Sequence, residues 1–419
     1  MTEAELGLLL RAETLALIDA IGPLGSTDAV TAAVTRLRGA GHPPELVAVA
    51  ITQARLRTRA AGKFGEFAAG MLFTEDGLQQ STRLEVAARH AARFAQAGLT
   101  RIADLGCGIG ADALALAGLG LGVLAVERDP VTAAIAQFNL AAFPDVEVRI
   151  GDAEAAELDG VDGAWLDPAR RPGPGAGRHG GRRGPTRLGP EDWSPSLDFA
   201  FGLGDRLPTG VKLGPGMDRD LIPEDAEAQW VSVGGEVVEL VVWRGAVARP
   251  RIRRAALVLP GDADGEAIEL TAPGDAPDAE AGPLGAVLVE PDGAVIRARL
   301  IGELARRLSP RARMLDPTIA WIALDDVPDA AVLGGLGDAF AVEAELPLDA
   351  RTIRRELAAR EIGAIEIKKR GVDLDPAEFR RSLRLDPRAP RHGTGPGSPV
   401  LIATRIAGRR RAILATRLS

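Results

Sequence analysis

The sequence predicts an α/β protein organised around a strand, turn and helix unit of Rossmann type, with a helical region before it and a small α/β module at its far end. Three observations carry that reading. Ile102 to Leu105 is an apolar run that breaks at Gly106, Gly108 and Gly110 and gives way to an alanine- and leucine-rich helix from about Ala111. A second apolar run, Leu121 to Val126, ends in Glu127, at the separation where a carboxylate reaches ribose hydroxyls. Beyond Pro347 the pattern alternates again between helical and strand spacing and closes in a hairpin.

Composition sets the bounds. With 419 residues, 46% of them hydrophobic, the chain can bury the cores of two or three domains and reads as globular. The formal net charge of -8 is uneven: residues 351 to 419 hold 17 Lys plus Arg against 7 Asp plus Glu, so the C-terminal end is the expected anion-binding part. Among 50 basic residues only Lys63, Lys212, Lys368 and Lys369 are lysines, a bias that reads as a GC-rich genome. Cys107 is the one cysteine and cannot form an internal disulfide. MTEAELGLLL lacks the basic start of a secretory signal and no apolar run reaches membrane-spanning length, so the expectation is a soluble cytoplasmic protein with no membrane partner. His42, His90, His179 and His392 lie far apart without ligand spacing, so neither a metal site nor a hydrolase triad is expected.

Residues 1 to 80 read as helical. Leu8, Leu9, Leu15, Leu17 and Ile18 suit one apolar face, Ser26 or Thr27 caps a second helix, and Pro43-Pro44 precedes a third through Leu46, Val47, Ile51 and Leu56. Arg55, Arg57 and Arg59 read as a solvated helix face, with a nucleic-acid groove as the alternative. Thr82 and Glu85 have capping-box spacing, and Leu84, Ala87, Ala91, Phe94 and Ala95 follow at helical intervals, so a helix leads into the first strand.

Asp104 sharpens the glycine turn. It stands at the end of the strand, where a pyrophosphate site would avoid a negative charge and a cofactor with a cationic amino-acid end tolerates one. The stretch DLGCGIGAD, with ERDP downstream, resembles the class I S-adenosylmethionine-dependent methyltransferases. The resemblance implies S-adenosyl-L-methionine as cofactor, with Asp104, Gly106, Gly108 and Gly110 at its methionine end and backbone, Glu127 at its ribose, and Cys107 and Arg128 in the same site. In that fold the segment before the leading helix closes over the methionine end, which implicates GLQQST with Gln80 and Thr82; a polar helix start is the other reading.

Asp129-Pro130 opens a helix to about Phe143, and Val146 to Ile150 is a third strand ending at Gly151-Asp152. The resemblance assigns Asp152 to the adenine amine with Ala153 beside it; a turn aspartate is the alternative. Val161 to Leu166 is the fourth strand and ends in Asp167-Pro168-Ala169-Arg170-Arg171. Ligands of open α/β sheets bind beyond the carboxyl ends of the strands, so this is the expected reaction centre. It resembles the Asp/Asn-Pro-Pro-aromatic tetrapeptide of methyltransferases that modify exocyclic base amines, which implies that Asp167 and Pro168 position the amine while Arg170 stands in for the stacking ring. Ala169 and Arg170 depart from that pattern, though a guanidinium also stacks on a base. Arginine there is similar, too, to the DPPR-like motifs of 5-methyluridine RNA methyltransferases. Those need a cysteine nucleophile, and Cys107 is committed to the cofactor turn, so transfer to a nitrogen is preferred.

Pro172 to Arg187 is rich in Gly and Pro, and the basic run from Arg170 contains no acid; it reads as a mobile phosphate-facing loop with Arg171, Arg182 and Arg183 as substrate contacts, or as a disordered insertion. Val211 to Leu213 is a short strand, and Trp230 to Val233 with Glu236 to Trp243 form a hairpin around Gly234-Gly235, both tryptophans in the core. Gly261 to Pro283, acidic and Gly/Ala/Pro-rich, reads as a solvated linker or loop. Residues 284 to 345 regain strand and helix character without an assignable motif.

A helix through Ile353 and Leu357, a strand Ala364 to Lys369, a helix Pro376 to Leu383 and a hairpin Val400 to Arg417 turning at Ala407-Gly408 complete the chain. The EIKKRG segment and the size of this module resemble the THUMP-like domains that follow bacterial methyltransferase domains, THUMP domains being RNA-binding parts of RNA-modifying enzymes. That implies RNA as partner, with Lys368, Lys369 and Arg370 as phosphate contacts or, alternatively, as a solvated surface. The expected organisation is a helical region over 1 to 80, a Rossmann-like class I methyltransferase domain over 81 to 255, a connecting α/β segment over 256 to 346 and a THUMP-like α/β module over 347 to 419. The expected activity is methyl transfer to an exocyclic amine nitrogen of an RNA base. A methyltransferase acting on a protein or small molecule, or a non-catalytic RNA-binding protein retaining the fold, are the alternatives.

Overall fold

A computed structural model describes residues 1–170, 193–261, 265–385 and 395–418, with only the backbone described at Arg170. The chain divides into two compact units, Met1–Leu213 with Trp243–Ala248, and Gly214–Val242 with Arg249–Ser419.

The first unit opens with helices α1 (Glu3–Leu9), α2 (Ala12–Ile21), α3 (Thr27–Gly39), α4 (Pro44–Phe64), α5 (Glu75–Gln80) and α6 (Leu84–Gln96). Their starts follow local chemistry. Thr2 and Glu5 form a capping box on α1, the Ser26 hydroxyl caps α3, and Pro44 sits at the first turn of α4, where its missing N–H costs nothing. Leu24, Leu37, Val47 and Ile51 pack this bundle.

Strand β1 (Arg101–Leu105), helix α7 (Ala111–Gly118), β2 (Gly122–Glu127), α8 (Pro130–Leu140), β3 (Val146–Ile150) and β4 (Gly163–Leu166) follow. A two-residue ribbon, β5 (Ala169–Arg170) with β6 (Trp193–Ser194), precedes α9 (Leu197–Leu203) and β7 (Thr209–Leu213). The main strands of this unit run in the order β7-β4-β1-β2-β3, all parallel. Strand order reverses between β1 and β4, and ligands of open α/β sheets bind beyond the carboxyl ends of the strands at such a switch point.

The second unit begins with the hairpin of β8 (Glu227–Val233) and β9 (Glu236–Arg244), turned by Gly234 and Gly235 at φ 57° and 84°, as a two-residue turn with both centres left-handed requires. Strand β10 (Arg254–Leu259) pairs parallel to β8 and antiparallel to β11 (Ile268–Ala272). β11 corrects the expectation of a linker over 261 to 283. Leu270 and Ala272 supply an apolar face, and Glu269, an acid that reads as solvated, is structural: with the fully buried Glu227 of β8 it accepts from Arg249, at 2.8 and 2.6 Å.

Next come β12 (Val287–Pro291), α10 (Gly293–Arg297), α11 (Ile301–Leu308), β13 (Arg313–Asp316), β14 (Ile319–Leu324), α12 (Ala330–Leu333), β15 (Gly337–Pro347), α13 (Ala350–Ala359), β16 (Glu366–Lys369), α14 (Pro376–Leu383), β17 (Pro399–Ile406) and β18 (Arg409–Arg417). They build a seven-stranded sheet in the order β13-β14-β12-β15-β18-β17-β16. Trp321 and Phe340 centre one core and Ile353, Leu357 and Leu401 another.

Candidate active site

The turn after β1 needs its glycines: Gly106, Gly108 and Gly110 take φ of 93°, 56° and 86°, which side chains disfavour. The Gly106 and Cys107 amides donate to the Val126 carbonyl at 2.9 and 3.0 Å. Gly108 donates to Glu127 Oε2 at 3.1 Å, and the other Glu127 oxygen accepts from the Asp129 amide at 2.9 Å. One carboxylate thus fixes both the turn and the start of α8. Asn139 of α8, which the sequence reading missed, donates to the carbonyls of Ile109 and Leu72 at 2.9 and 3.1 Å.

The segment before α6 lies against this turn. Any side chain at Gly77 would come within 2.5 Å of Ile109, so glycine permits the contact. Lys63, at the end of α4, donates to the carbonyls of Leu78, Gln79 and Ser81 at 2.8, 2.9 and 2.8 Å and fixes the stretch around the exposed Gln80. Thr82 is not a cap: Arg83 occupies the N-cap of α6 without a side-chain bond, and the buried Thr82 hydroxyl donates to Asp112 Oδ2 at 2.8 Å. A partner 30 residues away outcompetes the local capping box.

Strand register assembles the polar cluster. Asp104 of β1 is level with Trp165 of β4, and Trp165 with Gly210 of β7. Two residues further on, Asp167 and Lys212 return to that face. Lys212 Nζ lies 2.6 Å from Asp167 Oδ2 and donates to Thr82 Oγ1 at 3.0 Å; His90 Nδ1 stands 3.1 Å from Asp112 Oδ1. The floor is aromatic. Trp165 stacks on His90 with centroids 4.3 Å apart, and Trp243 lies 5.7 Å from Trp165. Gly210 makes room for both indoles, since a Cβ there would approach each to 2.7 Å.

Three carboxylates therefore share one ammonium. Asp104 is 1% exposed, and its Oδ2 is buried with no hydrogen-bond partner among the described residues. Burial pushes its pKa well above the ordinary carboxylate range, and the Asp112 and Asp167 carboxylates push it further, against Lys212 and the Ala113 amide. Burial raises Asp112 as well, but the His90 hydrogen bond and Lys212 outweigh it and hold that carboxyl low. Burial, then Asp104 and Glu127, push the Cys107 thiol well up, which disfavours the nucleophilic thiolate. An orphaned carboxylate oxygen at a glycine turn fits a nucleoside cofactor that brings its own ammonium.

The Asp167 carbonyl lies 3.9 Å from the position a Cβ would take on Gly106, so the Asp167-Pro168 step adjoins the turn. The β5 and β6 ribbon is tied down by Arg128, which donates to Ser194 Oγ at 3.3 Å, and by Glu154, which accepts from the Ser196 amide at 2.7 Å. Asp152 is exposed and caps the short turn from Ala153, accepting from the Glu154 amide at 2.8 Å. Arg171, Arg182 and Arg183 lie outside the described residues, as does the Arg170 side chain. In the second unit Lys368 and Arg370 both reach Glu290, at 2.6 and 3.1 Å, and Lys369 donates to the Leu374 carbonyl at 2.6 Å. Among the described residues no His/Cys/Asp/Glu group could hold a metal ion, and no helix is long and apolar enough to cross a membrane.

Comparison with known proteins bears on this arrangement. Residues 337–417 match the family described as THUMP domain-like, and residues 4–60 match a domain of unknown function, DUF8688. The chain is 35% identical over 339 residues, 79% of its length and 87% of theirs, to proteins of Mycobacterium tuberculosis strains CDC 1551 / Oshkosh and ATCC 25618 / H37Rv, each named an uncharacterised S-adenosylmethionine-dependent methyltransferase. The crystal structure of a Porphyromonas gingivalis W83 protein named as a methyltransferase superposes with a TM-score of 0.72 at 20% identity, over 97% of this chain and 98% of that one, and shows the shared fold. Identity at that level across most of both chains, on a Rossmann-like sheet with its glycine turn intact, makes this chain an S-adenosylmethionine-dependent methyltransferase with a THUMP-like domain at its C-terminal end.

Proposed function

We propose that this methyltransferase acts on a base nitrogen of RNA, an exocyclic amine, with Asp167 and Pro168 positioning the acceptor. The observation that carries the reading is the Asp167-Pro168 step at the carboxyl end of β4, its backbone beside the glycine turn and its carboxylate held at 2.6 Å by Lys212. The RNA assignment draws on the THUMP-like match over 337–417 and on the basic balance of residues 351 to 419.

S-adenosylmethionine supplies an electrophilic methyl group on a cationic sulfur. In this reading Asp104 takes its ammonium, the turn from Gly106 to Gly110 and the segment with Gln80 and Thr82 line its methionine end, Glu127 and Arg128 its ribose side, and Asp152 with Ala153 its adenine. When bound it would give its methyl group to the acceptor nitrogen and leave as S-adenosylhomocysteine, the nitrogen's proton passing to solvent. Alignment supplies most of the rate in such a displacement, so the Asp167 carboxylate and the Pro168 carbonyl act by accepting N–H bonds and aiming the lone pair. Cys107, buried as a thiol, argues against a covalent route through a pyrimidine ring.

The test is tritiated methyl transfer to total RNA from a strain lacking the gene, with wild type and Asp167→Ala side by side. Label in RNA with wild type alone supports the reading, and nucleoside digestion then identifies the base. Tight cofactor binding without RNA label overturns the RNA assignment in favour of a protein or small-molecule acceptor.

A further inference from the structure

We propose that Lys212 is the positioning residue of the acceptor site: from β7 it fixes the Asp167 carboxylate at the end of β4, and it is itself fixed through Thr82 to the segment before α6. The inference rests on the reading of Asp167 as the group that meets the acceptor.

The placement follows from the sheet. Leu166 and Val211 are register partners on adjacent parallel strands, so the next residues, Asp167 just past β4 and Lys212 within β7, come side by side. Lys212 is only 9% exposed, and burying an ammonium is costly unless it is paired. In a chain with four lysines among fifty basic residues, this one lies within an apolar strand, between Val211 and Leu213. A compact ammonium suits the place: it reaches Asp167 at 2.6 Å and Thr82 at 3.0 Å, where a planar guanidinium would need more room.

Thr82 passes the constraint on to Asp112, and Asp112 to His90 on α6. Asp167 is therefore anchored through a hydrogen-bonded chain to two helices. Without the cation, Asp167 would lose the ammonium 2.6 Å away while the Asp104 carboxyl remains beside it. Its side chain is 36% exposed, so it has an open way out to solvent. Loss of Lys212 thus displaces the carboxylate that aims the acceptor, while the turn that holds the cofactor keeps its glycines and Glu127.

The experiment compares wild type, Lys212→Met, Asp167→Asn and the double variant by three measurements. These are crystal structures, calorimetric binding of S-adenosylhomocysteine, and tritium transfer to RNA. Lys212→Met is expected to move the Asp167 carboxylate by more than about 1 Å and to lower kcat about 100-fold, the scale set by misplacing a reacting group. kcat at saturating cofactor falls by more than cofactor-product affinity does, and the double variant is no slower than Asp167→Asn, because residues acting as one unit are non-additive. Lys212→Arg, which restores the charge, recovers part of the lost kcat. An Asp167 carboxylate that has not moved, losses that multiply in the double variant, or activity that falls only in step with cofactor binding would each overturn the inference. If Lys212→Met does not fold, Lys212→Gln is read in the same way. If wild type labels no RNA, the RNA reading fails while the crystal structures still decide whether Lys212 fixes Asp167.

Discussion

Replacing Asp104 by Asn is expected to move stability and cofactor affinity in opposite directions. The carboxyl group is almost wholly buried, one oxygen has no partner among the described residues, and two further carboxylates lie close by. Its pKa is raised in the folded chain, so the protonated form is the one that folding favours. The stability it contributes is complete below the ordinary carboxylate value near 3.8 and is lost as the pH rises through the raised native value. Asn keeps the shape and cannot ionise. The substitution relieves the cost of ionising a buried carboxyl, on the order of 1–3 kcal/mol, so at neutral pH the variant without cofactor gains stability of that order and melts roughly 2–10 °C higher. The same change removes a charge-assisted contact to an ammonium, worth about 1.5–3 kcal/mol, so S-adenosylmethionine binds about 10- to 150-fold more weakly. Scanning calorimetry from about pH 4 to pH 9 and titration calorimetry at neutral pH provide the assay. Wild type is expected to lose melting temperature with rising pH along a slope that Asp104→Asn flattens. A variant that melts lower and binds the cofactor unchanged would refute the reasoning and make Asp104 a structural residue.

Two further outcomes follow from the same cluster. Cys107→Ser keeps methyl transfer within about twofold, and the native thiol resists iodoacetamide at about pH 8, because burial and the Asp104 and Glu127 charges disfavour the thiolate; rapid alkylation of folded protein would contradict this. Gly210→Ala forces a methyl group into the Trp165 and Trp243 rings and costs about 1–3 kcal/mol, read as a lower urea midpoint with an unchanged slope. An unchanged midpoint would mean that the indoles move apart freely.

The parts of the fold legible in the sequence are those specified by neighbours along the chain. The glycine turn, the Asp129-Pro130 helix start, the Pro376–Leu383 helix and the hairpin at Ala407-Gly408 each depend on residues within one turn or strand. What was missed depends on distant partners. Thr82 reads as a cap because Glu85 is three residues on, whereas Asp112 reaches it only once α7 packs against α6. Lys212 carries no local signal beyond a lysine between two apolar residues, and its role follows from the β4 and β7 register. β11 was hidden by composition: acids there suggested solvent, yet Glu269 is half of a clamp on Arg249 that the sequence does not reveal. Asn139 is one amide on an ordinary helix until Leu72 and Ile109 arrive beside it.

The β5 and β6 ribbon has a consequence for how this enzyme can vary. Ala169 pairs with Ser194 and Arg170 with Trp193, so two described segments meet in a two-residue neck directly after the Asp167-Pro168 step. Closing a longer excursion from a fixed neck adds only about 0.6 kcal/mol per doubling of its length. The neck therefore acts as a socket. Replacing the chain between the two sides of the neck by one of another length is expected to leave β4 and β7 in register, read as unchanged cofactor binding.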